Sequence, residues 1–411
     1  MSDSRAARRE LTILVVAVVL GMSPWFSATV VASFMVREWG AAASGGLWLT
    51  LAVQLGFVLG SAVSAVFLLA DRWSPRRLAA GSAALAAACT ALLATPGITL
   101  GTALPLRLLA GAALAGVYPP GIKIAAGWTQ ARRGLAIGAL VAGTTLGSAV
   151  PHLLRLAVAP GAWRGLQWLA AACAALAAVL FATRVREGPY QAAAAPFDPR
   201  ALRAVLGNRG VVLATGGYLG HMWELYAMWS SIGLFWGAYG PGRGLSPVAS
   251  TLCAFATVGA GVIGCLWAGS AADRVGRSTV TIVALAVSGA CALVIGPATL
   301  VAPTIVVLAI ALAWGAAIVA DSAQFSALVT EFSDRAYVGT ALTVQTALGF
   351  LLTMVTIRLV PDWSARWGWE RAYMPLAIGP ILGIACMWRA RTLERQRRAT
   401  TPLAGNLAAS R

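Results

Sequence analysis

Charge is what this 411-residue chain has least of. Asp, Glu, Lys and Arg together make up 11% of it, against roughly a quarter in an ordinary soluble domain. With 59% hydrophobic residues, a soluble chain would expose large apolar patches, so a bilayer is the fitting solvent. Lys123 is the only lysine, and His152 and His221 are the only histidines. The six cysteines, Cys89, Cys173, Cys253, Cys265, Cys291 and Cys386, fall singly inside apolar runs. That spacing fits neither a disulfide framework nor a metal site, and they read as small apolar side chains. No phosphate-cradling G-x-x-x-x-G-K-[ST] loop is present, so ATP is not the local energy source. No constellation of side chains points to an enzyme, a metal or a bound cofactor. The formal net charge of +17 would suggest nucleic acid in a soluble protein. Here the basic residues occupy short segments between apolar runs, with no basic face interleaved with aromatics, which excludes that partner.

What the chain does have is long apolar runs. On a scale of about 20 apolar residues per membrane helix, twelve segments emerge near 11–35, 45–69, 78–95, 99–122, 134–157, 163–183, 210–236, 246–270, 278–297, 302–328, 336–360 and 372–389. The first is too long for the core of a secretion signal and lacks a clear Ala-x-Ala site after it, so it reads as the first span. The fold class expected is all-α integral membrane, with twelve transmembrane helices in two pseudo-symmetric six-helix bundles. Its parts are an N-terminal bundle over 1–183, a cytoplasmic linker over 184–209, a C-terminal bundle over 210–389 and a cytoplasmic basic tail over 390–411. Most Lys and Arg then lie on the side of the two termini. Only Arg37, Arg155, Arg164, Arg243, Arg358, Arg366 and Arg371 fall on the other side, and Arg107 lies within a span. The excess of positive charge puts both termini in the cytoplasm. The Ala and Arg-over-Lys bias suits a GC-rich bacterial genome and hence a cytoplasmic (cell) membrane.

Two related halves are visible in short charged motifs. Gly269-Ser-Ala-Ala-Asp273-Arg274-Val-Gly276-Arg277 joins the eighth and ninth runs, and a degraded copy, Asp71-Arg72-Trp-Ser-Pro-Arg76-Arg77, joins the second and third. The same offset carries Arg133, before the fifth run, onto Arg335, before the eleventh. An Asp at the end of one helix can cap and pair with the Arg residues and helix ends of its neighbours, forming a clamp that closes in one state and opens in another. A body of two repeats that rock about a central site is suited to carrying a solute across the bilayer by alternating access.

These residues resemble the major facilitator superfamily of secondary transporters over essentially the whole chain. The family's D-R-x-G-R-type motif is intact in the second half. In the first half Phe67 stands where the leading Gly is expected, and Ser74-Pro75 replaces the inner Gly with one residue inserted. Arg107, Gly111 and Gly116 match the family's Arg-and-Gly pattern in the fourth span. The family's fifth-span antiporter pattern is half present as Gly134, Gly143 and Gly147. Its nitrate porters are set aside, because neither 45–69 nor 246–270 contains an Arg. The resemblance implies monomers, and implies that spans one, four, seven and ten line the central cavity.

The candidate site consists of polar groups in those spans. A charged side chain at mid-bilayer costs on the order of 2.5–3.5 kcal/mol on insertion scales, so each should face a cavity or a partner. Arg107 shares a helical face with Tyr118. It either binds an anionic group of the solute, tunes the carboxylates or braces helices through backbone carbonyls. In the seventh span His221 and Glu224 stand three apart, able to exchange a proton. In the tenth, Trp314, Asp321 and Gln324 follow, with Asp321 nearer the cytoplasm and serving either coupling or the gate. Substrate contacts are assigned to Arg107, Tyr118, Trp25, Trp223, Trp314 and Gln324. Proton coupling goes to Glu224, His221 and Asp321. Gating goes to Asp71, Arg72, Arg133, Gly269, Asp273, Arg274, Gly276, Arg277 and Arg335. The function expected is proton-coupled transport of a small organic solute, leaning to symport of an organic anion with protons. The alternatives are export of amphipathic or cationic compounds by proton antiport, and a sensor that keeps the transporter body.

Overall fold

The computed structural model describes residues 2–42, 44–129, 133–159, 161–190, 198, 200, 202–334 and 337–400. Among the described residues it is helical, with no strand. Ten stretches are long and apolar enough to cross a membrane by composition alone: Ala6–Ser27, Ser44–Val66, Leu100–Gly127, Gly134–Leu156, Trp163–Thr183, Pro247–Val275, Arg277–Val301, Thr304–Phe332, Val338–Trp367 and Trp369–Gln396. Pro75–Leu93 and Arg209–Tyr239 complete the twelve. The first of these two is short and alanine-rich. The second carries His221, Glu224 and several hydroxyls and glycines, and its buried face is enclosed by other helices. Helix is the answer throughout because lipid offers no partner to an open backbone N–H or C=O.

Several helices outrun their apolar runs. The twelfth is still helical to Thr400, so the basic tail expected from 390 begins as a continuation of the last span. In the linker, Leu202–Gly207 forms a short helix. Asn208 then caps the seventh span, its Oδ1 accepting from the Gly210 and Val211 amides.

Three of the four spans expected near the centre, the first, fourth and tenth, are interrupted, and so is the eighth. The first breaks at Ser23, ahead of Pro24, and again over Thr29–Val31. The fourth breaks between Leu114 and Tyr118, ahead of Pro119-Pro120. The eighth breaks at Ala260, and the tenth at Asp321. Proline supplies no N–H and so ends a run of helical bonds without orphaning a donor. Ser23 Oγ restores part of what its break loses, donating to Leu20 O at 2.8 Å and Ala170 O at 3.3 Å.

The internal repeat is visible in the packing. In the first half the pairs are first with fifth, first with sixth, second with fourth, third with fourth and third with sixth. In the second half the corresponding pairs are seventh with eleventh, seventh with twelfth, eighth with tenth, ninth with tenth and ninth with twelfth. Each half has the same kind of close crossing, with glycine of one span against a backbone carbonyl of the other. A Cβ on Gly56 would overlap the Leu108 carbonyl, and one on Gly111 the Val53 carbonyl. In the other half a Cβ on Gly264 would overlap the Ala316 carbonyl, and one on Gly315 the Thr257 carbonyl. Small residues let backbones approach closely where apolar packing against lipid gives no preference. The halves meet along two seams, fifth span on eighth and second on eleventh.

At the outer edge of the first half, Glu38 accepts from Trp163 Nε1 at 2.7 Å and from Arg164 Nη1 at 2.8 Å, with Arg164 Nη2 at 2.6 Å from its other oxygen. Arg164 first and Trp163 second hold the Glu38 carboxyl below its usual range. This contribution is present at neutral pH and fades as pH falls through the lowered folded-state value. Both groups face solvent, so it amounts to less than about 1 kcal/mol.

Two predictions follow from this packing. Gly111→Val and Gly315→Val should each cost at least the roughly 1–3 kcal/mol of an overpacked core. Thermal unfolding in detergent would read this as a clear fall in midpoint, while Gly81→Ala, at a site with open space around it, leaves the midpoint unchanged. Glu38→Gln should flatten the acid side of the stability–pH profile, and an unchanged profile would remove Glu38 from it.

Candidate functional site

Three buried titratable groups, His221, Glu224 and Asp321, lie together in the second half. His221 and Glu224 project from the unbroken seventh helix, and both are buried. The expected exchange between these two is replaced by two separate contacts. His221 Nδ1 lies 2.8 Å from Oδ1 of Asp321 on the tenth span. Glu224 accepts from Trp314 Nε1 at 2.5 Å and from Ser288 Oγ of the ninth span at 3.0 Å. The reason is the break in the tenth span. It sets Asp321 at the junction of two half-helices, facing the seventh, so His221 has a carboxylate nearer than the one a turn away on its own helix. Tyr218 and Phe325 flank the imidazole, with ring centroids 6.0 and 5.6 Å away. Such an imidazole–carboxylate pair can hold a proton on either partner.

Arg107 is buried and braces the first half. Its Nε donates to Leu49 O at 3.2 Å, Nη1 to Pro24 O at 2.8 Å and Nη2 to Trp25 O at 2.5 Å. These carbonyls come from the second span and from the break in the first, where Pro24 and the short helix after it leave acceptors to be served. Of the three roles open to Arg107 in the sequence, bracing is the one its contacts display. It makes no ion pair among the described residues. Tyr118 opens the lower half-helix of the fourth span, at the break.

Three other residues assigned to substrate contact have protein partners here. Trp314 donates to Glu224. Trp223 Nε1 donates to Pro375 O at 3.2 Å, so it turns toward the twelfth span; position 223 lies off the face shared by 222, 226 and 229. Gln324 belongs to the inner clamp, where its Oε1 accepts from Arg277 Nη1 at 2.9 Å.

That clamp is built on Gly276, whose φ of 93° makes the turn into the ninth span. Arg277 Nε reaches Glu331 Oε1 at 2.6 Å. Glu394 of the twelfth helix accepts from the Arg277 and Ser278 amides at 3.0 and 3.1 Å, capping the ninth span. Gly269 and Asp273 face the other half. A Cβ on Gly134, in the first turn of the fifth span, would stand 3.0 Å from Gly269 O and 3.3 and 3.4 Å from the two Asp273 carboxylate oxygens. The negative charge therefore lies at a helix N-terminus across the seam. Arg274 is exposed at this surface, as is Arg72 in the first half.

The degraded copy uses different parts for the same turn. Ser74 caps the third span with Pro75 behind it. Glu187, just past the sixth span, accepts from Ser74 Oγ at 2.5 Å and from the Arg76 amide at 3.1 Å. Glu187 and Glu394 thus do equivalent work at the ends of the two halves. The positive φ has moved to Leu68. The side chains of Asp71 and Arg133, and all of Arg335, lie outside the described residues.

Where the halves meet, six rings close the centre: Trp25, Phe26 and Phe57 from the first and second spans, and Tyr226, Trp229 and Phe350 from the seventh and eleventh. Phe57 and Phe350 stand 4.5 Å apart, Trp25 and Tyr226 5.6 Å, and Phe26 and Trp229 6.3 Å. Of these the sequence offers Trp25 and Trp229 as cavity walls; for the other four, single aromatics in apolar runs carry no signal of which face they occupy. Ser288 was equally silent. Glu187 and Glu394 were findable, as lone acids among arginines just beyond the last span of each half.

Comparison with known proteins agrees with this geometry. A solved structure described as the MFS (major facilitator superfamily) proton:xylose symporter XylE bound to 6-bromo-6-deoxy-D-glucose superposes with a TM-score of 0.69. It is 17% identical and covers 92% of this chain and 95% of its own. At that identity the likeness speaks for the fold. No curated protein matches the chain. Residues 13–357 match the Major Facilitator Superfamily. On that extent of match, with the helical body to go with it, this chain belongs to the Major Facilitator Superfamily and is a multi-pass membrane transporter, not an enzyme.

Proposed function

We propose that the protein is a proton-coupled symporter of small organic anions. It works by alternating access as a monomer in the cell membrane, with both termini in the cytoplasm. The observation that carries the anion reading is the charge of Arg107, whose contacts among the described residues are backbone carbonyls. Carbonyls satisfy its N–H groups but cancel no charge, and a buried unpaired charge is costly. The acids beside the central spans are already served, Asp321 by His221 and Glu224 by Trp314 and Ser288. The buried acid of the first half, Glu10, lies about four helical turns before Pro24 in the first span, so the surroundings of Arg107 lack a negative charge.

In this reading a proton enters from outside onto the His221–Asp321 pair, and the anion binds at the centre under the field of Arg107. With both bound, the inner seam of Gly269 and Asp273 on the fifth span parts, and proton and anion leave to the cytoplasm. The inner clamp reforms after release. Glu224, held between the ninth and tenth spans, serves as a second proton site. The second reading, proton-antiport export of amphipathic or cationic compounds, draws on the ring cluster at the centre.

The test uses purified protein in proteoliposomes with an imposed pH gradient. An inward proton gradient should drive accumulation of carboxylate anions. Asp321→Asn and His221→Ala should lower that accumulation roughly tenfold or more, while gradient-free exchange of the anion across the membrane persists. Movement of organic cations against the proton gradient, with no anion uptake, would put the export reading first. Saturable binding with no flux would point to a sensor.

A further inference from the structure

Buried hydrogen-bond donors in the membrane interior are almost always served, and here most are. Among the indoles, Trp314 donates to Glu224, Trp236 to Thr257, Trp163 to Glu38 and Trp223 to Pro375. The Trp39 indole, also without a partner, belongs to a residue that is partly exposed near the loop after the first span. Two deep indoles break the rule. Trp25 and Trp229 are 1% and 4% exposed, and neither Nε1 has a hydrogen-bond partner. Both belong to the ring cluster, one from each half, and both pack on Tyr226, at 5.6 and 5.5 Å between centroids. Gln54, one helical turn from Phe57, is fully buried, and its amide is likewise without a partner.

Unserved groups of this kind mark where a ligand or water is to be accommodated. The indoles are donors only, so their occupant supplies acceptors. Arg107 stands directly behind, with Nη2 on the Trp25 carbonyl and Nη1 on that of Pro24. The electrostatics there favour a negative acceptor. The rest of the cluster is aromatic, and in this structure its rings from opposite halves touch one another at 4.5 to 6.3 Å, so each half presents a ring surface on which another aromatic ring packs well. When the halves part, a flat solute can take the place that the facing rings now fill for each other.

We propose that the solute is an aromatic monocarboxylate. Its ring lies between the ring sets of the two halves, and its carboxylate accepts from the Trp25 and Trp229 indoles. The proposal rests on the organic-anion reading and narrows it to one chemical class. Trp25 and Trp229 then set specificity, and because one stands on each half, the bound carboxylate bridges both.

The experiment compares uptake of benzoate and phenylacetate with that of acetate, with tetraphenylphosphonium as a cation probe, in proteoliposomes under an inward proton gradient. The proteins are wild type, Trp25→Phe and Trp229→Phe. The substitutions keep an aromatic ring and remove the indole N–H together with the five-membered ring, and Gln54→Leu serves as a further variant should either fail to fold. We expect the aromatic acids to be preferred at least about tenfold over acetate in kcat/KM, and each Phe variant to raise the KM for benzoate about fivefold or more with kcat little changed. Equal uptake of acetate and benzoate, or a KM untouched in the Phe variants, would overturn the proposal and leave the organic-anion reading standing. Uptake of no anion, with movement of tetraphenylphosphonium alone, would overturn both.

Discussion

Inside a bilayer a polar atom has no water to fall back on, and most of this structure can be understood as the consequence. Each helix keeps its own backbone bonded, and each break in a helix must be served by something else. Ser23 serves the break in the first span, and Arg107 serves the carbonyls just beyond it. Proline at the start of the lower half of the fourth span removes donors that would otherwise be orphaned. Among the groups left without a partner are two indoles, Trp25 and Trp229, and the amides of Gln54 and Gln345 on the second and eleventh spans, where the halves meet.

The same constraint divides the labour between the halves. The first half holds a guanidinium locked to backbone and contributes a fixed positive field. The second half holds His221, Glu224 and Asp321, with their partners spread over the seventh, ninth and tenth spans, while the other histidine, His152, is buried in the fifth span. Between them lies a boundary made from glycine contacts on the inner side and rings at the centre. Glycine against backbone gives a close contact with few side-chain interlocks to undo, which suits a surface that must separate and reform. At the same boundary Asp273 lies against the start of the fifth span, while Arg277, Glu331 and Glu394 tie the ends of the ninth, tenth and twelfth helices to one another.

Gene duplication left its mark at different depths. The glycine crossings of second on fourth and eighth on tenth spans are repeated closely, because backbone contact tolerates no added atom. The turn after the second span was rebuilt with Ser74, Pro75 and a strained Leu68, where the other half keeps Gly276. A loop in water can satisfy its backbone in several ways, so the motif could decay once Glu187 capped the third span.

By itself the sequence determined the class of molecule, the number of spans, the internal repeat and the polar residues worth attention. Those follow from composition and period, which act on each segment separately: a run of 20 apolar residues must be a helix in lipid whatever its neighbours do. The helix ends, and the continuation of the twelfth span past 389, depended on charged residues in the headgroup layer that dilute the apolar signal. Tertiary structure alone decided the partners. His221 has a carboxylate three residues away on its own helix, yet pairs with Asp321, a hundred positions on, because the break in the tenth span brings that side chain closer. Trp223 and Trp229 look alike in the chain, yet one serves the twelfth span and the other faces the opposite half, since 100° of helical turn per residue sends them to different neighbours. Pairing across helices depends on rotation, breaks and depth together, and none of these is carried by local sequence.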